Sequence, residues 1–185
     1  FLKSMNGKKI AFCGIGRSNL PLVSLFSKYG AEITVCDKKE KSAFSDEIIK
    51  EITDNGAFIK CGEDYLENLD VDIIFRAPGM YYNLPVLQEF RKKGVVVTSE
   101  MEVFFDICPC KIFALTGTDG KTTTTTICAE SLQRSGKKVY KGGNIGTPLL
   151  PEIENITADD FVVAELSSFQ LISMRKSPDV AVVTN

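Results

Sequence analysis

With 185 residues, 44% of them hydrophobic and 25% charged, the chain carries enough apolar material for one large or two small packed domains of a soluble globular protein. A net charge of -2 leaves no cationic excess to neutralise a phosphate backbone, and no Lys/Arg cluster sits beside aromatic residues, which argues against a nucleic-acid partner. No apolar run approaches the roughly 20 residues of a membrane span and Phe1 to Lys9 is too polar and short for a secretory signal, so a cytoplasmic protein with no membrane partner is expected.

From Lys9 onward, short apolar runs alternate with longer amphipathic stretches, the pattern of parallel strands joined by crossover helices, which predicts the α/β class. Ile10 to Cys13 reads as the first strand, Leu20 to Tyr29 as a helix ended by Gly30, and Glu32 to Cys36 as the second strand. Val71 to Phe75 and Val95 to Thr98 supply further strands around a helix from Pro85 to Lys93 that Gly94 terminates. A boundary near Ser99 gives domains of 1–98 and 99–185. Glu100 to Ile107 then reads as a short helix, Ile112 to Thr116 as a strand, and Lys121 to Arg134 as a helix closed by Gly136. Phe161 to Leu166 and Val180 to Thr184 follow as strands. The last reads as a buried central strand with no helix after it, so the chain is expected to stop within its second domain. The cysteines Cys13, Cys36, Cys61, Cys108, Cys110 and Cys128 lack C-x-x-C spacing and the chain has no histidine, which favours reduced thiols over a zinc site.

Gly117-Thr118-Asp119-Gly120-Lys121-Thr122 follows an apolar strand and opens a helix. Successive main-chain N–H groups there can face an anion, and glycines leave room for phosphates. Lys121 is placed to neutralise β/γ-phosphate charge, the Thr122 hydroxyl to ligate Mg²⁺, and Thr123 to touch the nucleotide as well. The usual eight-residue pattern has glycine where Leu115 stands, so this is the shorter G-x-x-G-K-T form. An acidic partner is required at the end of a neighbouring strand, and Glu165 closes Phe161-Val162-Val163-Ala164-Glu165. ATP and Mg²⁺ are therefore the expected ligands, with Lys121 and Glu165 the catalytic candidates.

At the front, Cys13-Gly14-Ile15-Gly16-Arg17-Ser18-Asn19 lies between a strand and a helix, and Asp37 ends the second strand 23 residues after Gly14, where an acidic residue would meet a ribose. Asn19 occupies the third glycine position, so the dinucleotide fingerprint is incomplete. A nicotinamide cofactor, another diphosphate such as a UDP-sugar, and a tight turn without ligand all remain open. Ala77-Pro78-Gly79-Met80 ends another strand on the same edge, where bare backbone can approach a ligand.

Taken together, the phosphate loop, Gly143-Asn144-Ile145-Gly146 and Glu165-Leu166-Ser167-Ser168-Phe169-Gln170-Leu171 resemble the Mur ligase family of peptidoglycan synthesis, and Gly14-x-Gly16 and Ala77-Pro78-Gly79 fit it too. The resemblance covers essentially the whole chain. It implies a Rossmann-like parallel-sheet domain that binds a UDP-linked substrate, followed by an incomplete P-loop ATPase-type central domain. Gly14, Gly16, Arg17, Ser18, Asp37, Lys38, Lys39 and Gly79 would hold the uridine and diphosphate, and Asn144, Ser167 and Gln170 the sugar-peptide end. It also supports Lys121 on the γ-phosphate and Thr122 and Glu165 as metal ligands. The motif after Glu165 is most similar to that of members joining D-glutamate to UDP-N-acetylmuramoyl-L-alanine, through an acyl phosphate; a monomer is expected, and these 185 residues alone are expected to turn over little. Two features depart from the pattern. Asp119 stands where the family usually has asparagine, and the histidine, modified lysine and C-terminal domain of the family lie outside the chain. Alternatives that the residues leave open are a nicotinamide-dependent oxidoreductase and a non-catalytic nucleotide-binding module.

Overall fold

The computed structural model describes residues 1–185 and divides into two units, Phe1–Ser99 and Glu100–Asn185. In the first, β1 (Lys9–Cys13) is flanked by β2 (Glu32–Asp37) and β4 (Ile73–Arg76), with β3 (Phe58–Cys61) outside β2 and β5 (Val96–Thr98) outside β4. Every pairing is parallel. The order β3-β2-β1-β4-β5 reverses direction between β1 and β4, which opens a crevice at the carboxyl ends of those two strands.

Both faces of this sheet are covered, which is why β1 reads as an unbroken apolar run and Ile10, Ala11, Phe12 and Cys13 are fully buried. Strand alternation sends Phe12 and Phe75 to one face. There they meet Phe26 of α1 (Leu20–Lys28), with ring centroids 5.1 to 5.7 Å apart. Ala11, Cys13 and Ile74 point to the other face and pack with Leu87 and Phe90 of α3 (Pro85–Lys92). Burying a side chain of the size of Phe or Leu contributes about 1.5 to 3 kcal/mol, so these two layers fix the crevice walls. Between β2 and β3 runs α2 (Asp46–Asp54), capped by the Ser45 hydroxyl and carrying Asp46 and Glu47 in its first turn, where the helix dipole favours them. Neither α2 nor β3 was anticipated.

The second unit contains α4 (Glu100–Ile107), β6 (Lys111–Thr116), α5 (Lys121–Arg134), β7 (Val139–Gly143), β8 (Phe161–Glu165), α6 (Ser168–Leu171) and β9 (Val180–Val183). Its parallel sheet runs β7-β8-β6-β9. Val162 to Leu166 are all buried, as expected of a central strand. Within these 185 residues β9 is bonded to β6 alone, and Val180, Val182 and Val183 are 41%, 38% and 77% exposed. No helix is long and apolar enough to cross a membrane.

Candidate functional site

In the first unit, Gly14, Gly16, Arg17, Ser18, Lys38, Lys39 and Gly79 lie on loops at the carboxyl ends of β1, β2 and β4, and Asp37 is the last residue of β2. The loops after β1 and β4 touch. Gly14 has φ of 101°, and a Cβ there would sit 2.8 Å from the Ala77 Cβ, so only glycine permits this approach. The Asp37 carboxylate accepts the Ile15 N–H at 2.7 Å and the Lys39 N–H at 2.9 Å, and thereby ties the glycine loop to the end of β2. Lys38 pairs with Glu63 at 3.4 Å on the surface. Arg17 and Gly79 are exposed.

Asn19, which breaks the fingerprint on paper, is 1% exposed. Its side-chain amide donates to the carbonyls of Cys13 at 2.9 Å, Gly14 at 3.3 Å and Phe75 at 3.4 Å, bridging the ends of β1 and β4. Where a third glycine would allow close helix-to-strand packing, asparagine laces the same elements by hydrogen bonds.

In the second unit, the loop from Gly117 to Gly120 joins β6 to α5, and Gly120 is the N-cap without any side-chain capping bond. The first-turn N–H groups of α5 are thus left for a ligand, as an anion site requires. Two earlier amides are occupied: those of Thr118 and Asp119 donate to the Asn185 main-chain oxygen at 2.7 and 2.6 Å. The Lys121 ammonium lies back across the loop, donating to Gly117 O at 2.7 Å and Thr118 O at 2.9 Å. Leu115, in the position of the missing glycine, is a buried member of β6 in register with Glu165.

That register brings Glu165 beside the loop. Its carboxylate is 1% exposed and accepts the Thr122 hydroxyl at 2.8 Å on one oxygen and the Asn144 amide at 2.9 Å on the other. Asn144 also donates its main-chain N–H to Glu165 O at 2.8 Å. This closeness is allowed because Gly143 has φ of 99° and a Cβ there would run into Glu165 O. Both partners of the buried carboxylate are neutral, so a compensating cation is called for. Carboxylate and hydroxyl oxygens suit Mg²⁺, which takes few protein ligands and completes its shell with phosphate and water. No group of three or more His, Cys, Asp or Glu gathers into a metal cage.

Ser167 and Gln170, expected on the sugar-peptide end, stand just after β8 at the start of α6. They form a capping box at the start of α6, with the Ser167 N–H donating to Gln170 Oε1 at 2.8 Å and the Gln170 N–H to Ser167 Oγ at 3.3 Å, and Gln170 is 4% exposed. The spacing S-x-x-Q is the signal in the sequence that could have announced this cap.

Residues 8–99 match the family model described as Mur ligase MurD-like, N-terminal domain, and residues 115–185 match Mur ligase middle domain. The chain belongs to the Mur ligase family. Over its full length it is 50% identical to the UDP-N-acetylmuramoylalanine--D-glutamate ligase of Acetivibrio thermocellus and 47% identical to that of Clostridium acetobutylicum. It spans about 40% of the length of those curated relatives. Among solved structures, the UDP-N-acetylmuramate-alanine ligase MurC of Thermotoga maritima matches 96% of this chain over 41% of its own, with TM-score 0.52 and 23% identity. The UDP-N-acetylmuramate:L-alanyl-gamma-D-glutamyl-meso-diaminopimelate ligase of Neisseria meningitides matches 96% over 61% of its own, with TM-score 0.53 and 18% identity. These two likenesses show the Mur ligase fold. The two matched ranges fall one in each unit, 8–99 in the first and 115–185 in the second.

Proposed function

We propose that this chain supplies the UDP-substrate module and the ATP module of a cytoplasmic, monomeric ligase that joins D-glutamate to UDP-N-acetylmuramoyl-L-alanine. The carrying observation is the Glu165, Thr122 and Asn144 cluster beside the phosphate loop, in a chain 50% identical along its length to a ligase of that name. The incomplete fingerprint then belongs to a diphosphate sugar rather than to a nicotinamide cofactor.

In the proposed reaction the substrate carboxylate attacks the γ-phosphorus of ATP, the bond to the β-γ bridging oxygen breaks and ADP leaves. The D-glutamate amine displaces phosphate from the resulting acyl phosphate, losing a proton as the amide forms. Bound Mg²⁺ would supply charge neutralisation at the phosphates, held by Thr122 and Glu165. The first-turn N–H groups of α5 orient the phosphoryl oxygens, and Lys121 exchanges its loop carbonyls for the γ-phosphate. Asn144 holds Glu165 in place from the side opposite Thr122. In the first unit, Gly14, Gly16 and Gly79 let the diphosphate approach bare backbone, and Arg17, Ser18, Lys38 and Lys39 line the crevice rim.

Calorimetric titration of the chain with UDP-N-acetylmuramoyl-L-alanine, run in parallel with NAD, tests the assignment. Heat from the UDP compound alone is the expected result, and heat from NAD alone overturns it. Activity is read in a chimera in which these 185 residues replace the matching N-terminal part of the Acetivibrio thermocellus ligase. It should release phosphate from ATP only when both the UDP substrate and D-glutamate are present.

A further inference from the structure

Glu100 opens α4, far in sequence from the phosphate loop, yet it is the buried acid on which the Asn144 loop ends. Its Oε1 accepts the N–H groups of Leu149 at 2.9 Å and Leu150 at 2.8 Å, and the residue is 4% exposed. Those amides start the 3-10 helix Leu150–Asn155, whose N-cap residue, Leu149, offers no side-chain acceptor. Glu100 provides that cap from another element.

Between β7 and this helix runs Gly143-Asn144-Ile145-Gly146-Thr147-Pro148-Leu149. The near end is bonded to Glu165 through the Asn144 main chain, and a bridge joins Gly142 to Thr147. Glu100 fixes the far end. With both ends held, the Asn144 amide meets Glu165 Oε1, which leaves Oε2 for the Thr122 hydroxyl.

We infer that Glu100 is a positioning residue for the nucleotide site: it clamps the Asn144 loop so that Asn144 holds the Glu165 carboxylate toward Thr122. This rests on the proposed role of Glu165 and Thr122 as the Mg²⁺ seat for ATP. Burial lifts the Glu100 acid to about 7, so near neutral pH much of it is a neutral carboxyl. What the clamp needs is an acceptor oxygen, not a charge, and glutamine should serve.

The test compares the wild-type chain with Glu100→Gln, Glu100→Leu and Glu100→Asp. Two quantities are read: hydrogen exchange of the amides from Asn144 to Leu150, and affinity for a non-hydrolysable ATP analogue with and without Mg²⁺. Leucine removes the acceptor. Aspartate is one methylene shorter, reaches less well, and guards against a leucine variant that does not fold. Both should speed exchange in the loop and reduce the Mg²⁺-dependent gain in affinity by about tenfold, the usual scale for losing support behind a metal ligand. Metal-free affinity, which depends on Lys121 and the α5 amides, should stay put, and glutamine should restore the wild-type pattern. Equal loss of metal-free and metal-bound affinity, an undiminished Mg²⁺ gain, or a glutamine variant as damaged as leucine would each overturn the inference. A wild-type chain whose affinity ignores Mg²⁺ would instead overturn the proposed function beneath it.

Discussion

Replacing Glu100 by glutamine should make the second unit more stable, and more so as pH rises. In the unfolded chain the acid ionises near 4.5; in the fold, burial raises it to about 7 although the Leu149 and Leu150 N–H groups pull the other way. The native state therefore keeps a proton that the unfolded state has released. The stability tied to that proton is fully present below pH 4.5 and is lost as pH climbs through 7. The gap from 4.5 to about 7 is about 2.5 units, which at 1.36 kcal/mol per unit amounts to about 3 kcal/mol once pH is well above 7, and about 2 kcal/mol of it falls between pH 5 and pH 8. Glutamine accepts the same two bonds and cannot ionise, so the variant escapes the loss. The chain has no tryptophan, so urea unfolding would be followed by circular dichroism, with hydrogen exchange of β6 and β8 amides assigning the change to the second unit. A difference between the two proteins that stays constant from pH 5 to pH 8 would refute the reasoning, and so would a wild type that gains on the variant as pH rises.

Gly14→Ala should cost the first unit about 2 to 4 kcal/mol, from a left-handed φ and the 2.8 Å approach to Ala77 together, measured by exchange of β1 amides. Asp37→Ala should cost about 2 kcal/mol there by freeing the Ile15 and Lys39 N–H groups, read from the same amides. Lys121→Met should weaken ATP-analogue binding by at least about tenfold with little change in Tm, since the ammonium bonds only loop carbonyls in this structure. Asp119→Asn should tighten the same binding a few-fold by removing an exposed like charge near the phosphates, an effect that added salt should erase.

Most of what positions the site was legible because it rests on local patterns. Strands β1, β6 and β8 are apolar runs with both faces covered, and α5 begins at a glycine loop that has little other use. Glu165 stood out because a phosphate loop calls for an acid at the end of a neighbouring strand, and Phe161 to Ala164 read as that strand. The losses have physical reasons. β7 ends in two glycines, Gly142 and Gly143, which read as a loop although close packing against Thr147, Leu149 and Glu165 requires them. α2 buries only Ile52 fully, so its apolar stripe is thin, though Ser45, Asp46 and Glu47 marked its start. The Glu100 clamp joins residues 49 and 50 positions apart, and nothing local in the sequence announces such a pairing. Asn19 looked like a defect because a fingerprint counts glycines, whereas its amide makes the contacts that matter.

The most direct test of the nucleotide site is calorimetric titration of a non-hydrolysable ATP analogue into the wild-type chain and Glu165→Gln, each with and without Mg²⁺. The wild type should bind more tightly with the metal. Glu165→Gln should keep the metal-free affinity, because Lys121 and the α5 amides are untouched, and lose the gain from Mg²⁺. A wild type that binds no nucleotide, or a Glu165→Gln variant that retains the full Mg²⁺ gain, would contradict the assignment of the phosphate loop and Glu165 as the ATP site.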